Sequence, residues 1–144
     1  MDQAIDKMNK YLKEQHLAHL ATFARYSDLI HVEYIGRWTL DESEIASYVE
    51  ETFKAFDSEI AQAKTPDDKI TAIARLFQIL EWRHPFPDGQ GRTDLTLLRK
   101  ILTEHGFNPA ILEYPYVSTF STLEGWVKYL KEGMEKWQVE FARV

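Results

Sequence analysis

The sequence predicts a mostly α, compact single-domain helical bundle with one short β element. Apolar residues recur at three- and four-residue intervals through most of the chain, and only one stretch alternates with a period of two. A length of 144 residues allows one well-buried core and makes a second domain unnecessary, so residues 1–144 are expected to form one domain.

From Ala4 to Phe23, the residues Ile5, Met8, Leu12, Leu20 and Phe23 fall near helical spacing with Tyr11 beside them, which predicts a first amphipathic helix. Leu29 to Trp38 sets Ile30, Val32 and Tyr34 against His31, Glu33 and Gly36, the pattern of a short strand or hairpin. Asp41 and Glu44 have the spacing of a capping box for a helix with Ile45, Val49, Phe53, Phe56 and Ile60 on one stripe, ending near Ala63. Thr65-Pro66-Asp67-Asp68 then supplies a cap, a proline at the first helical position and an acid in the first turn. A helix is expected from Pro66 to about Trp82, with Ile70, Ile73, Ala74, Phe77 and Leu80 facing inward. Thr93 to His105 repeats the pattern with Leu95, Leu98, Ile101 and Leu102, and Gly106 suits a left-handed helix end. After a loop containing Pro109 and Pro115, Ser121 is expected to cap a last helix packed through Trp126, Tyr129, Leu130, Met134 and Trp137.

A formal charge of −6 without a basic stripe argues against nucleic acid held through its phosphates. No run approaches the roughly 20 apolar residues of a membrane span, so no membrane partner is expected. The absence of cysteine excludes disulfides, thiolate metal sites and a cysteine nucleophile. The charged, amphipathic start does not read as a signal peptide, and the expected location is a cytoplasm, that of its own cell or of another into which the protein is exported. His16 and His19 have metal-ligand spacing but no completing cluster, and surface histidines account for them.

One loop carries chemistry. His84-Pro85-Phe86-Pro87-Asp88-Gly89-Gln90-Gly91-Arg92 sits between two expected helices, so the amides of Gly89 to Arg92 fall at a helix N-terminus, where unpaired donors and the dipole favour phosphate. His84 can accept a proton near neutral pH. Asp88 offers a hard oxygen to Mg²⁺. Gly89 and Gly91 allow close approach of backbone to a phosphate, and Arg92 adds a forked cation. Phe86 would anchor the loop, and Trp82, just before Arg83 and His84, is a candidate for lining a donor pocket.

In order and spacing the loop resembles the Fic family motif, H-x-F-x-(D or E)-G-N-G-R-x-x-R, and matches six of its eight constrained positions, at His84, Phe86, Asp88, Gly89, Gly91 and Arg92. The resemblance extends more weakly from about Ile30 to Gly106. It implies an all-helical fold apart from a β-hairpin flap, and transfer of AMP from ATP, with Mg²⁺, onto a Ser, Thr or Tyr hydroxyl of a target protein. By the same resemblance His84 is the general base, Asp88 the metal ligand, Gly89, Gln90 and Gly91 the anion-binding turn, and Arg92 the contact to the donor phosphates. The target would dock on the flap near Leu29 to Trp38.

Two positions depart from the motif. Gln90 replaces its asparagine, and Leu95 stands where its second arginine helps place the distal phosphates of the nucleotide. A site short of that arginine points, as an alternative donor, to a diphosphate such as a CDP-linked alcohol; a catalytically inactive binding module is the other alternative. No intact (S or T)-x-x-x-E-(G or N) inhibitory segment is present, since Ser27 to Val32 carries His31 and Val32 at its last two positions. The chain is therefore expected not to be inhibited by that segment, so that removing Met1 to Ala24 fails to raise activity if the fold survives, and inhibition by a separate protein stays open.

Overall fold

Helix α3, Pro66–Arg83, is the axis of the fold because its sequence is apolar on almost every side: Ile70, Ala72, Ile73, Ala74, Leu76, Phe77 and Leu80 are all buried. In this computed structural model, which describes residues 1–35, 41–85 and 90–141, α3 is packed by α2 (Glu42–Gln62), α4 (Gln90–Glu104) and α5 (Leu123–Phe141). A short 3₁₀ turn, Pro115–Ser118, lies against α3, α4 and α5. The start of α3 is the expected capping box, in which Thr65 Oγ1 accepts from the amide of Asp68 at 3.1 Å and the Asp68 carboxylate accepts from the amide of Thr65 at 3.2 Å. Further along, polar side chains of α3 hold the segment leading into α5. Gln78 Nε2 donates to the carbonyls of Ser118 and Ser121, and Trp82 Nε1 donates to that of Thr119. In return Trp126 Nε1 of α5 donates to the Ala74 carbonyl.

The first expected helix is in fact two elements. Helix α1 covers Asp2–Glu14, and Ala21–Tyr26 forms strand β1. The helix stops because His16 takes a left-handed conformation, with φ of 58°, letting Leu17 N donate to Leu12 O and His16 N to Lys13 O. Those two bonds are the pattern of a Schellman cap, here with histidine where glycine is usual. Leu20 and Phe23 are buried as expected, from the turn before β1 and from β1 itself rather than from a helix face. Asn9 of α1 joins the pieces: its Nδ2 donates to Phe23 O and its Oδ1 accepts from Phe23 N, both at 2.8 Å.

Strand β2, Leu29–Tyr34, is the expected alternating stretch, and β1 is its partner. The antiparallel register pairs Ala21 with Tyr34 and Tyr26 with Leu29 across a two-residue turn, where Ser27 has a φ of 56°. The expected continuation through residues 36 to 38 lies outside the described residues. Helix α1 and the hairpin bury Ile5, Met8, Leu12, Leu20, Ala21 and Phe23 around Trp82, a second cluster at the C-terminal end of α3. Removing Met1 to Ala24 would take away α1 and most of β1, so it tests folding rather than self-inhibition.

The remaining helix ends follow the local chemistry with small shifts. Asp41 Oδ1 caps α2 by accepting from Glu44 N at 2.9 Å. Helix α4 starts at Gln90, earlier than the Thr93 expected, and closes on Gly106 at a φ of 82°. The side-chain contact at the start of α5 comes from Thr122, whose Oγ1 accepts from Gly125 N, and not from Ser121, whose carbonyl is taken by Gln78.

Gly133 of α5 is a close-approach position, since a Cβ there would lie 2.8 Å from both the Ile111 carbonyl oxygen and a methyl of Leu112. Gly133→Ala is expected to cost about 1–3 kcal/mol through overpacking, read as a lower midpoint in denaturant unfolding. An unchanged or raised midpoint would show that the contact carries no strain.

Candidate functional site

The motif begins where α3 ends. His84 N donates to Leu80 O at 2.9 Å while the residue turns left-handed, with φ of 46°, and this sends the chain out of the helix. A non-glycine residue in that conformation costs on the order of 1 kcal/mol and is held only by its surroundings. Two of those surroundings are visible. Tyr48 of α2 donates its hydroxyl to the carbonyl of Arg83 at 3.2 Å, with the Arg83 guanidinium 4.8 Å from the centre of the Tyr48 ring. On the other side Tyr34, at the end of β2, stacks on the His84 imidazole with centroids 4.3 Å apart and planes 13° from parallel. The hairpin thus lies directly on the motif histidine.

Helix α4 restarts the chain at Gln90, so Gly91 and Arg92 sit in its first turn, where amides lack helical partners. Both are exposed and both line a cavity of about 340 Å³, a size typical of small-molecule sites. Among the described residues, a Cβ added to Gly91 would meet nothing within 4 Å. Asp94, Leu95 and Leu98 continue the wall along α4; Phe77 and Glu81 face it from α3, and Leu112, Tyr116 and Trp126 close the far side. Gln90 points inward: it is only 3% exposed, and its Nε2 donates to Asp94 Oδ2 at 2.7 Å.

Asp94 is the hub of this arrangement. It accepts from Gln90 and is hydrogen-bonded to Glu81, which joins α4 to α3. Burial pushes the Glu81 carboxyl up to about 9, and the bond to Asp94 and its charge push the same way. Burial also raises the Asp94 carboxyl, while Glu81, Gln90 and the nearby His84 imidazole oppose that rise. The proton of the pair therefore resides on Glu81 at neutral pH, donated to the Asp94 carboxylate. The Tyr34 hydroxyl is pushed up to about 12, first by burial and then by Glu81.

Of the residues singled out from sequence, Gly91 and Arg92 line the cavity, Gln90 is bonded to the lining residue Asp94, and His84, which is not in the wall, acts electrostatically on Asp94. Asp88, Gly89 and the anchor Phe86 lie outside the described residues. Trp82 does not line the cavity. It is fully buried in the α1–hairpin cluster with its indole bonded to Thr119, because the C-terminal turn of α3 turns it toward the hairpin. Among the described residues, no three His, Asp or Glu side chains group to hold a metal ion, His16 and His19 included. Glu81, Asp94 and Tyr34 were not singled out. Glu81 had a signal, being a carboxylate four residues after Phe77 on an apolar face.

Known proteins share this architecture in sequence. The model of the Fic/DOC family matches residues 3–102, more than half of the chain. The chain belongs to the Fic/DOC family. It is also 33% identical over 88 residues to the phosphocholine transferase AnkX of Legionella pneumophila subsp. pneumophila, an alignment covering 60% of this chain and 9% of that protein. The hairpin on His84 is the flap expected of a Fic fold, and no helix among the described residues is long and apolar enough to cross a membrane.

The buried proton makes stability depend on pH. A carboxyl raised from 4.5 to about 9 contributes fully below its unfolded value, and the contribution is lost as pH climbs toward 9. Stability should fall by up to about 1.4 kcal/mol per pH unit across that window. In Glu81→Gln, which keeps a donor for Asp94, the fall should be much shallower. Unfolding midpoints at pH 5, 7 and 9 check this, and parallel curves for the two proteins would refute it.

Proposed function

We propose that this Fic-family chain transfers a phosphate-linked group from a nucleotide donor onto a hydroxyl of a protein, with His84 as general base. The observation that carries the reading is the electrostatic effect of His84 on Asp94, which lines, with Gly91 and Arg92 of the first turn of α4, a ligand-sized cavity. In the step proposed, His84 takes the hydroxyl proton and the oxygen attacks phosphorus. The new P–O ester bond forms as the P–O–P anhydride bond breaks, and the nucleotide-side phosphate leaves with the electron pair. The imidazolium so formed stands near the Asp94 carboxylate, while the first amides of α4 and Arg92 meet the charge that develops on the phosphate.

Mg²⁺ binds through one or two carboxylates and completes its shell with water and phosphate oxygens, a demand that one carboxylate at Asp88 fits. Bound there it would neutralise charge on the donor phosphates. The hairpin, with Tyr26 and Leu29 widely exposed at its tip, is the surface proposed for the target protein.

The donor favoured is a nucleoside diphosphate alcohol of the CDP-choline type rather than ATP. Leu95, in place of the second motif arginine, lines the cavity as an apolar side chain, and the similar protein AnkX is a phosphocholine transferase. Transfer of AMP from ATP is the competing outcome of the same experiment.

Incubation of the chain with a cell lysate and either CDP-choline or ATP, read by intact mass, is expected to give a phosphocholine increment. His84→Ala should lower its rate at least about 100-fold, the scale of general-base catalysis. An undiminished adduct in that variant would reject the assignment. Gly91→Ala is expected to leave the unfolding midpoint unchanged or slightly raised, since alanine favours helix by about 1 kcal/mol. The same variant should lose at least about tenfold in donor affinity by calorimetry, because its methyl fills the space beside the amide. Unaltered affinity would place the phosphate elsewhere.

A further inference from the structure

We infer that the cavity walled by α3, α4 and α5 is a subsite for the alkylammonium head of the transferred group. The inference rests on the phosphate-transfer reading above and adds to it where the far end of the donor lies. A phosphate at the first turn of α4, beside Gly91 and Arg92, has the cavity as its open neighbour, so a substituent on that phosphate enters it.

The chemistry of the walls selects the substituent. Of the three aromatic side chains in the wall, Tyr116 is exposed, with Phe77 and Trp126 buried behind it, and an accessible aromatic ring is a feature by which proteins hold quaternary ammonium groups. Glu81 and Asp94 are the acidic groups of the wall and are hydrogen-bonded to each other. At position 95 the wall offers leucine. A triphosphate extended past Arg92 into this space would meet carboxylates and hydrocarbon, whereas a trimethylammonium head would meet the exposed Tyr116 side chain and the acidic pair. The volume of about 340 Å³ is at the small end of ligand sites and suits a short head group better than a whole nucleotide.

The test compares CDP-choline with its uncharged carbon isostere, CDP-3,3-dimethylbutanol, by calorimetry on the full chain with Mg²⁺, alongside the adduct assay with ATP and CDP-choline. CDP-choline is expected to bind about tenfold more tightly than the isostere, the combined scale of a cation–π contact and a partly desolvated charge pair. The double variant Glu81→Gln, Asp94→Asn should bring the two ligands within about twofold. Tyr116 is 59% exposed, so Tyr116→Leu keeps the fold; it should weaken CDP-choline about threefold and leave the isostere unchanged.

Equal affinity for the two ligands, no binding of either, or a preference that survives in both variants would overturn the subsite. If the isostere binds as well as CDP-choline while a His84-dependent adduct still forms, the subsite fails and the transfer reading stands. If the cation preference and its loss in the variants are seen without any adduct, the subsite stands and the transfer reading falls.

Discussion

The site depends on one buried carboxylate. Asp94, one turn into α4, accepts from Gln90 of its own helix and from protonated Glu81 of α3, and it lies in the field of His84. A buried carboxylate is tolerated only when its lone pairs are filled, and here both donors come from the elements that flank the motif loop. The same bonds that satisfy Asp94 therefore set the distance between the end of α3 and the start of α4. They also account for the inward turn of Gln90, which leaves Gly91 and Arg92 to face the cavity.

Around this hub the rest of the molecule acts as a mount. Helix α3 can be buried on nearly all sides because α2, α4, α5 and the α1–hairpin unit each take one of its faces. Its last turn is gripped from two directions, by Tyr48 on the Arg83 carbonyl and by Tyr34 on the His84 ring, so the left-handed turn at His84 is over-determined. Strain at such a residue persists only under that kind of support. The hairpin is thus more than a lid, since it braces the side chain assigned to proton transfer.

Substitution at two motif positions changes the electrostatic character of the space beyond the phosphate. With leucine at 95 and the carboxyls of Glu81 and Asp94 in the wall, Arg92 is the one cation among the described lining residues, and much of the rest of the wall is apolar.

The residues by themselves determined the helices whose signals are local: the Thr65–Asp68 capping box, the Asp41 cap, the Gly106 stop and the alternation of Leu29 to Tyr34 each depend on neighbours within a few positions. The motif too was legible, because its spacing is a local property. Only the tertiary structure decided that Ala21–Tyr26 is a strand, since Leu20 and Phe23 suit either a helix face or a strand face and no glycine announced the cap at His16. It alone decided that Trp82 belongs to the hairpin cluster, that Tyr34 covers His84, and that Glu81 keeps a proton for Asp94. Those facts arise from contacts between residues distant in the chain, and burial, which sets the charge of a carboxyl, exists only once the helices have packed.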